Sequence, residues 1–251
     1  MSPEPGPNET LDVIGENQLF LLQSKEGYRF SIDSLLLWGF LSPDPKSRWI
    51  DLGSGCGILS IALAKINAVR KVLGVEIQRE LVDLARRNAL LNKVDDRVSF
   101  VEADVQDTSF LKSIAPADGV CANPPYYPAL SGRINPDRQK AVARHEIRGS
   151  MLDFIRAGSR LLNRGGIFAT IIPVQRLQEA LQTFTSSNLN PSRMRFVYSY
   201  EGQPAALALL EALKDKKFPL SVEPPLLIYN SPKTYTEEVQ NLMAFKPLKK
   251  F

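Results

Sequence analysis

Short apolar runs alternate with longer amphipathic runs along most of the chain. Apolar runs of about four to eight residues between turn residues favour buried strands, whereas apolar residues at helical spacing favour helices. Strands are predicted at 49–52, 72–77, 98–103, 119–122 and 166–172. Helices are predicted at 58–66, 80–91, 151–162 and 174–185. This alternation is typical of an α/β fold in which helices cover both faces of a mostly parallel sheet.

Further segments flank this alternation on both sides. Residues 194–200 and 207–213 are predicted to form a C-terminal antiparallel hairpin, which brings the sheet to seven strands. Near the N-terminus, residues 11–15 and 18–23 are typical of a short β-hairpin, and an apolar run follows at 35–41. This segment is too small to fold alone, so we expect it to pack at the mouth of the sheet and to help close a site there.

The chain therefore divides into three expected parts within one domain. Residues 1–10 contain several prolines and are expected to be disordered. Residues 11–45 are expected to form the hairpin and a helix, and residues 46–251 the α/β core.

Composition indicates an ordinary globular protein, with 44% hydrophobic and 23% charged residues among 251. No apolar run approaches the roughly 20 residues that span a bilayer, and the N-terminus lacks the features of a secretory signal. Cys56 and Cys121 are too few for a disulfide framework or a metal site. We therefore expect a cytoplasmic protein with no membrane partner and no metal. The sequence does not indicate whether the protein is a monomer or an oligomer.

The formal net charge of +4 permits a polyanionic partner without requiring one. Basic residues concentrate in one stretch at 133–148, where they outnumber two acids. These bases are Arg133, Arg138, Lys140, Arg144 and Arg148. The stretch is either a solvated surface loop or a loop that contacts phosphates beside an active site. His145 lies within it and is interpreted as a surface residue or a nucleic-acid contact, not as a base.

A glycine turn follows the first core strand. Gly53, Gly55 and Gly57 occupy alternate positions between Asp51 and a predicted helix. Glycine is needed where the backbone turns sharply and a ligand approaches the main chain, although such glycines can also be purely structural. The G-x-G-x-G spacing differs from the G-x-G-x-x-G spacing of dinucleotide sites. Cys56, inside the turn, is interpreted as a small residue that fills space.

Acidic residues end three successive predicted strands, at Asp51, Glu76 and Asp104. Open α/β sheets bind ligands at this edge, and the three acids together suit a nucleoside that carries an amino-acid group. Asp51 would meet the positive amino-acid end, Glu76 the ribose hydroxyls, and Asp104 the adenine amino group. Ile77 and Val105 would flank the ring. The alternative for Glu76 is a solvated acid at a strand end.

The sequence Asn123-Pro124-Pro125-Tyr126 follows the fourth core strand. Neither proline has an N–H, so the Asn123 side-chain oxygen and the Pro124 carbonyl form an edge of acceptors. Such an edge can hold both N–H bonds of a planar amino group whose lone pair is delocalised. Tyr126 offers a face on which a planar target can stack. The alternative is a proline-rich turn capped by asparagine.

With these residues located, the chain resembles class I methyltransferases of the amino-methylating branch that carries an NPPY motif. More closely, it resembles the bacterial tRNA1(Val) (adenine-37-N6)-methyltransferase family. The resemblance is carried by residues 28–37, 51–58, 74–78, 123–126 and 143–146. The resemblance implies a Rossmann-like fold, S-adenosyl-L-methionine as cofactor and tRNA as substrate.

The same resemblance assigns roles to residues outside the glycine turn. It implies that Phe30 and Asp33 help to close the methionine end of the cofactor site. Asn123 belongs to both the catalytic and the cofactor-binding sets, and the loop after Tyr126 is implied to meet tRNA. Position 127 is tyrosine where the family pattern suggests phenylalanine.

Our leading hypothesis is therefore methylation of an adenine N6 in tRNA, with A37 of tRNA-Val as the named possibility. A protein-glutamine N5-methyltransferase would use the same acceptors, but such enzymes carry a substantial helical N-terminal domain. A DNA adenine N6-methyltransferase is a weaker alternative because no separate target-recognition domain is visible. From other classes, the glycine spacing disfavours a nicotinamide oxidoreductase, and a catalytically silent RNA-binding module would not need Glu76 and Asp104.

Overall fold

A computed structural model describes residues 3–15, 19–26, 29–125, 149–246 and 248. Within them, an N-terminal β-hairpin precedes a large sheet with helices on both faces. The strands are β1 (Glu9–Ile14), β2 (Leu19–Ser24), β3 (Arg48–Leu52), β4 (Lys71–Glu76), β5 (Val98–Glu102), β6 (Ala117–Ala122), β7 (Leu162–Pro173), β8 (Leu189–Tyr198), β9 (Ala205–Lys214), β10 (Ser221–Leu227), β11 (Tyr229–Ser231) and β12 (Thr234–Tyr235). The helices are α1 (Ile32–Phe40), α2 (Ile58–Lys65), α3 (Arg79–Leu91), α4 (Thr108–Ser113), α5 (Met151–Leu161), α6 (Leu177–Ser186) and α7 (Glu237–Met243).

The large sheet has the strand order β10-β8-β9-β7-β6-β3-β4-β5. Neighbours from β7 to β5 are parallel, β9 is antiparallel to both β7 and β8, and β10 is parallel to β8. The predicted α/β class and the C-terminal antiparallel pair are confirmed. The carboxyl ends of the parallel strands meet at one edge, where open α/β sheets bind their ligands.

Within the described residues the sheet contains eight strands. The prediction of seven strands is therefore wrong, because it did not include the edge strand β10. Pro224 and Pro225 lie inside β10, and its register shifts between Glu223 and Leu226. Proline cannot donate to a strand ladder and is therefore confined to edges and bulges. Sequence reasoning passed over this segment because two adjacent prolines argue against a strand.

Two hydrophobic clusters lie on opposite faces of the sheet. Successive side chains of a strand point to opposite faces, and accordingly Trp49 belongs to one cluster and Ile50 to the other. The first cluster packs against α1, α2, α3 and α7, and the second against α4, α5 and α6. This packing fixes the strand ends that carry the candidate site. No helix in the described part of the chain is long and apolar enough to cross a bilayer.

The predicted N-terminal hairpin is present as β1 and β2, but it begins at Glu9. The Glu9 carboxylate forms an ion pair with Arg87 on α3, with an N–O distance of 2.6 Å. The expectation of disorder for residues 1–10 is therefore wrong for Glu9 and Thr10, which belong to β1. Sequence reasoning could not anticipate an anchor supplied by an arginine 78 residues away.

Two asparagines one turn apart, Asn88 on α3 and Asn92 at its C-cap, hold the hairpin. Asn88 accepts from Leu22 N at 2.7 Å and donates to Leu22 O at 3.0 Å. Asn92 accepts from Phe20 N at 3.0 Å and donates to Phe20 O at 2.6 Å. Each side chain thus satisfies the backbone of an alternate residue of β2, as a neighbouring strand would. The hairpin is fastened to the helix that follows β4.

Candidate cofactor and substrate site

The glycine turn connects β3 to α2 beneath the end of β4. The amides of Gly53 and Ser54 donate to Val75 O at 2.8 and 3.1 Å. Gly53 and Gly57 have φ angles of 70° and 89°. A Cβ at Gly57 would lie 2.8 Å from the ring of Phe100, so only glycine fits there.

The turn is also held from the side of the hairpin. Asn88, besides its bonds to β2, donates from Nδ2 to Cys56 O at 2.9 Å. Sequence reasoning missed this residue, because nothing in an amphipathic helix marks one buried asparagine as a link to a turn 32 residues earlier. The cofactor turn and the hairpin therefore share one buried side chain.

Glu76 ends β4 and is 7% exposed. Its Oε2 accepts from Gly55 N at 3.0 Å, and its Oε1 accepts from Gln78 N at 2.9 Å. Burial raises the pKa of Glu76, while these backbone donors oppose the shift. The carboxylate is thus fixed in orientation beside the turn. A carboxylate has further acceptor capacity beyond one bond to each oxygen, as a diol requires.

Asp51 lies deeper than the sequence suggested, with 2% of its surface exposed. Ser60 donates from Oγ to its Oδ2 at 2.7 Å. Burial, with a smaller contribution from the charge of Glu76, raises the pKa of Asp51 to about 7. Asp51 is therefore bonded to α2 and almost completely shielded from solvent. Its assignment to the amino group of a ligand stays a prediction.

The third acid, Asp104, lies just past β5 and is half-buried. Its Oδ1 accepts from Gln106 N at 2.8 Å. Val105 is buried beside it, and Ile77 is half-buried at the end of the neighbouring strand. The Ala103 amide donates to Glu76 O at 3.0 Å, so the two strand ends are joined. Asp51, Glu76 and Asp104 therefore share one edge of the sheet, as predicted.

The acceptor motif begins where β6 ends. Asn123 is half-buried, Pro124 is buried and Pro125 is half-buried. The Asn123 side chain donates from Nδ2 to Ser34 Oγ at 3.2 Å. Ser34 is 5% exposed and lies in the first turn of α1. The N-terminal segment therefore reaches the motif through Ser34, a residue to which sequence reasoning gave no role.

Residues assigned to the methionine end of the site precede Ser34 directly. Asp33 belongs to the first turn of α1, and Phe30 packs against the first hydrophobic cluster. The Phe30 amide donates to Gln23 Oε1 at 3.0 Å, which ties this segment to β2. The hairpin thus positions the approach to α1.

The predicted residues of the long basic loop lie outside the described residues, as does the stacking tyrosine. They are Tyr126, Arg133, Arg138, Lys140, Arg144 and His145. Their assigned roles stay predictions.

Cys56 is buried inside the turn, in agreement with its interpretation as a small residue that fills space. Cys121 is buried as well, and burial raises the pKa of Cys56 to about 12. A thiol with such a pKa stays protonated at neutral pH and is a poor nucleophile. Among the described residues, no cluster of three or more His, Cys, Asp or Glu side chains could hold a metal ion.

Comparison with known proteins agrees with this arrangement. The family model described as methyltransferase small domain matches residues 28–187. A tRNA1(Val) (adenine(37)-N6)-methyltransferase of Phocaeicola vulgatus is 30% identical over 182 residues, which are 71% of this chain and 74% of the relative. A protein of the same name from Actinobacillus pleuropneumoniae is 25% identical over 234 residues, 93% of each chain.

The fold has counterparts among solved structures. A predicted O-methyltransferase from Agrobacterium tumefaciens superposes with a TM-score of 0.68 at 23% identity, over 86% of this chain and 98% of that chain. This likeness supports the fold alone. The family model covers more than half of the chain, and the Phocaeicola relative is similar over most of both proteins. The chain therefore belongs to the methyltransferase small domain family, as a methyltransferase related to the bacterial tRNA1(Val) (adenine(37)-N6)-methyltransferases.

Proposed function

We propose that this methyltransferase transfers a methyl group from S-adenosylmethionine to the exocyclic N6 of an adenine in tRNA, in the cytoplasm. Adenine 37 of tRNA-Val is the first candidate, because the relatives from Phocaeicola vulgatus and Actinobacillus pleuropneumoniae carry that activity in their names. The observation that supports the chemistry is the contact between Asn123 and Ser34 at the end of β6, the strand that pairs with β3 just before the glycine turn.

The residues at the sheet edge fit the cofactor. Glu76 would accept both ribose hydroxyls, because its carboxylate is already oriented by Gly55 and Gln78. Gly53, Gly55 and Gly57 carry no side chains, so the main chain of the turn could approach the cofactor closely. Asp104 would accept from the adenine amino group.

Apolar and acidic groups complete this proposed cofactor site. Ile77 and Val105 would flank the adenine ring. The field of Asp51 favours the ammonium of the amino-acid end, while Phe30 and Asp33 would close that end from the N-terminal side. S-adenosylmethionine, when bound, supplies a sulfonium methyl group that is open to nucleophilic attack.

The protein's part in the chemistry is to hold the target amine. In this proposal Oδ1 of Asn123 would accept one N–H of the target, while Nδ2 keeps its hydrogen bond to Ser34. The Pro124 carbonyl would accept the second N–H. Two acceptors shift electron density toward a nitrogen whose lone pair is otherwise delocalised. They also act as fixed dipoles aimed at the positive charge that develops there.

Positioning supplies the rest of the acceleration in this proposal. Tyr126 would stack on the adenine ring, which keeps the amine in line with the methyl group. The methylated nitrogen carries a positive charge and is strongly acidic, so it loses its proton without a strong general base. The mechanism therefore assigns no catalytic role to His145.

The proposed substrate is tested by incubating the enzyme and methyl-labelled cofactor with total RNA and, separately, with total protein from a strain that lacks the gene. Digestion and mass spectrometry then identify the modified unit. We expect N6-methyladenosine in the tRNA fraction and no label with the Asn123→Ala variant. Label in glutamine side chains would overturn the RNA assignment in favour of a protein-glutamine methyltransferase.

A further inference from the structure

A basic face extends from the candidate site along α5. The helix begins beside the cofactor edge, because Ser150 caps it and Gln106, next to Val105, donates to Asp153 in its first turn at 2.8 Å. It ends at the opposite edge of the sheet, where Leu162 pairs with Ala117. The surface of α5 therefore connects the candidate site with the opposite edge of the sheet, so a long substrate could lie along it.

Exposed arginines lie along α5 and just beyond its C-terminal end. Arg156 and Arg160 are exposed and lie one turn apart on α5, and Arg164, also exposed, follows three residues after the helix ends, in β7. At about 1.5 Å per residue, Arg160 lies roughly 14 Å along the axis from the start of the helix at Met151. Lys112, also exposed, joins them from the last turn of α4. The row thus runs away from the site.

Two of these cations line a surface cavity between α4 and α5. The cavity has a volume of about 470 Å³ and is lined by Thr108, Leu111, Lys112 and Arg160. A guanidinium group binds phosphate oxygens in a bidentate manner, and an ammonium binds them as a point charge. The Thr108 hydroxyl adds a neutral donor to the same cavity. This donor set suits a phosphate group.

The cations differ in whether they are already paired. Arg156 forms an ion pair with Asp153 at 3.4 Å. The side chains of Lys112, Arg160 and Arg164 make no hydrogen bond or ion pair with any residue that the structure describes.

The two acids that flank Lys112 in the chain, Asp107 and Asp118, have other partners. Asp107 caps α4 by accepting from Ser109 N and Phe110 N. Asp118 accepts from Arg48 N and Asn163 Nδ2.

We infer that Lys112, Arg160 and Arg164 form a track for the phosphate backbone of the RNA substrate, with the cavity between α4 and α5 as one phosphate position. The inference rests on the proposed function, which supplies an RNA whose target base lies at the other end of α5. The track binds backbone without reading sequence, so it orients the RNA body while the site selects the base.

The test measures RNA affinity against salt concentration for the double variant Lys112→Ala/Arg160→Ala, with tRNA as the probe. Each phosphate contact contributes about 0.7–0.9 to the slope of log affinity against log salt. Between about 50 and 200 mM salt, RNA affinity should therefore fall by a factor about ten times smaller in the double variant than in wild type. Tight binding at low salt should fall, whereas S-adenosylmethionine affinity stays unchanged.

Two controls remove positive charge elsewhere, two charges in the first and one in the second. Lys216→Ala/Lys217→Ala alters exposed lysines between β9 and β10, and Arg156→Ala alters the paired arginine of the same helix. Both should leave the slope close to that of wild type. An unchanged slope in Lys112→Ala/Arg160→Ala, or equal flattening in Lys216→Ala/Lys217→Ala, would overturn the track. If wild type neither binds nor methylates tRNA, the proposed function itself fails.

Discussion

The side-chain amide of Asn123 donates from Nδ2 to the hydroxyl oxygen of Ser34 across 3.2 Å. The two residues are 89 positions apart and join the end of β6 to the first turn of α1. An asparagine that can rotate presents either an acceptor or a donor to a target amine. In the orientation that makes this contact, the amide oxygen is turned away from Ser34, and we propose that Ser34 acts as a positioning residue for it.

Replacement of Ser34 should therefore reduce turnover without loss of cofactor binding. A hydrogen bond of this kind contributes about 0.5–1.5 kcal/mol, so Ser34→Ala should lower kcat by about two- to tenfold. Ser31→Ala is the matched control, because Ser31 caps the same helix without a side-chain cap bond. Steady-state kinetics and calorimetric titration with S-adenosylmethionine distinguish the two effects. Equal kcat values for Ser34→Ala and wild type would remove the positioning role.

Glu76 should govern cofactor affinity. Glu76→Ala removes charge-assisted bonds to the ribose and should weaken binding of S-adenosylhomocysteine by about 1–3 kcal/mol in calorimetry. Glu102→Ala is the control, because Glu102 pairs in register with Glu76 on the next strand but is exposed. If both variants bind with the affinity of wild type, the assignment of Glu76 to the ribose is wrong.

Asp51 should make stability depend on pH. Burial raises its folded pKa to about 7, above an unfolded value of about 3.9. The folded state then binds more protons than the unfolded state between these values. The contribution of Asp51 to the free energy of unfolding is therefore fully present at low pH and is lost as pH rises through 7.

The Asp51→Asn variant tests this dependence, because asparagine does not titrate. Urea denaturation from pH 5 to pH 8 should show a smaller loss of stability in the variant than in wild type. Glu76, whose pKa is also raised by burial, contributes in the same direction and remains in both proteins. Parallel curves for the two proteins would show that Asp51 is not the titrating group.

Asn88 should stabilise the hairpin and the glycine turn together. Asn88→Ala leaves Leu22 N and the carbonyls of Leu22 and Cys56 without this partner, at about 1–3 kcal/mol for each group that stays unsatisfied. Hydrogen exchange should accelerate at the Leu22 amide, and cofactor affinity should fall. Asn92→Ala, which affects β2 without contact to the turn, should accelerate exchange at Phe20 with a smaller effect on affinity. Equal effects of the two variants on affinity would contradict the link.

The sequence predicts the site best where local pattern decides the outcome. The strands are apolar runs, and their ends are marked by Asp51, Glu76 and Asp104, so their common edge follows from the topology of a parallel sheet. The contact between Ser34 and Asn123 and the anchor from Asn88 to Cys56 depend on tertiary packing. No periodicity in the chain encodes which polar side chain meets which distant backbone group.

The depth of Asp51 was unpredictable for a related reason. A strand-end acid can be exposed at the sheet edge or buried against a helix, and Asp51 is buried and accepts from Ser60 on α2. The strand β10 was missed because Pro224 and Pro225 contradict local strand preference, yet an edge position with a register shift accommodates them. For both Asp51 and β10, tertiary packing determines the outcome and the local sequence preference does not.

Asn123 is proposed to hold the target amine as positive charge develops on it. The most direct test compares Asn123→Ala with wild type in single-turnover methylation of tRNA, with S-adenosylmethionine affinity measured on the same preparations. We expect the variant to lose methyl transfer while cofactor affinity stays within a few-fold, since the lost bond acts mainly in the transition state. A variant that methylates adenine at the wild-type rate, or that loses activity only because it no longer binds the cofactor, would contradict the account.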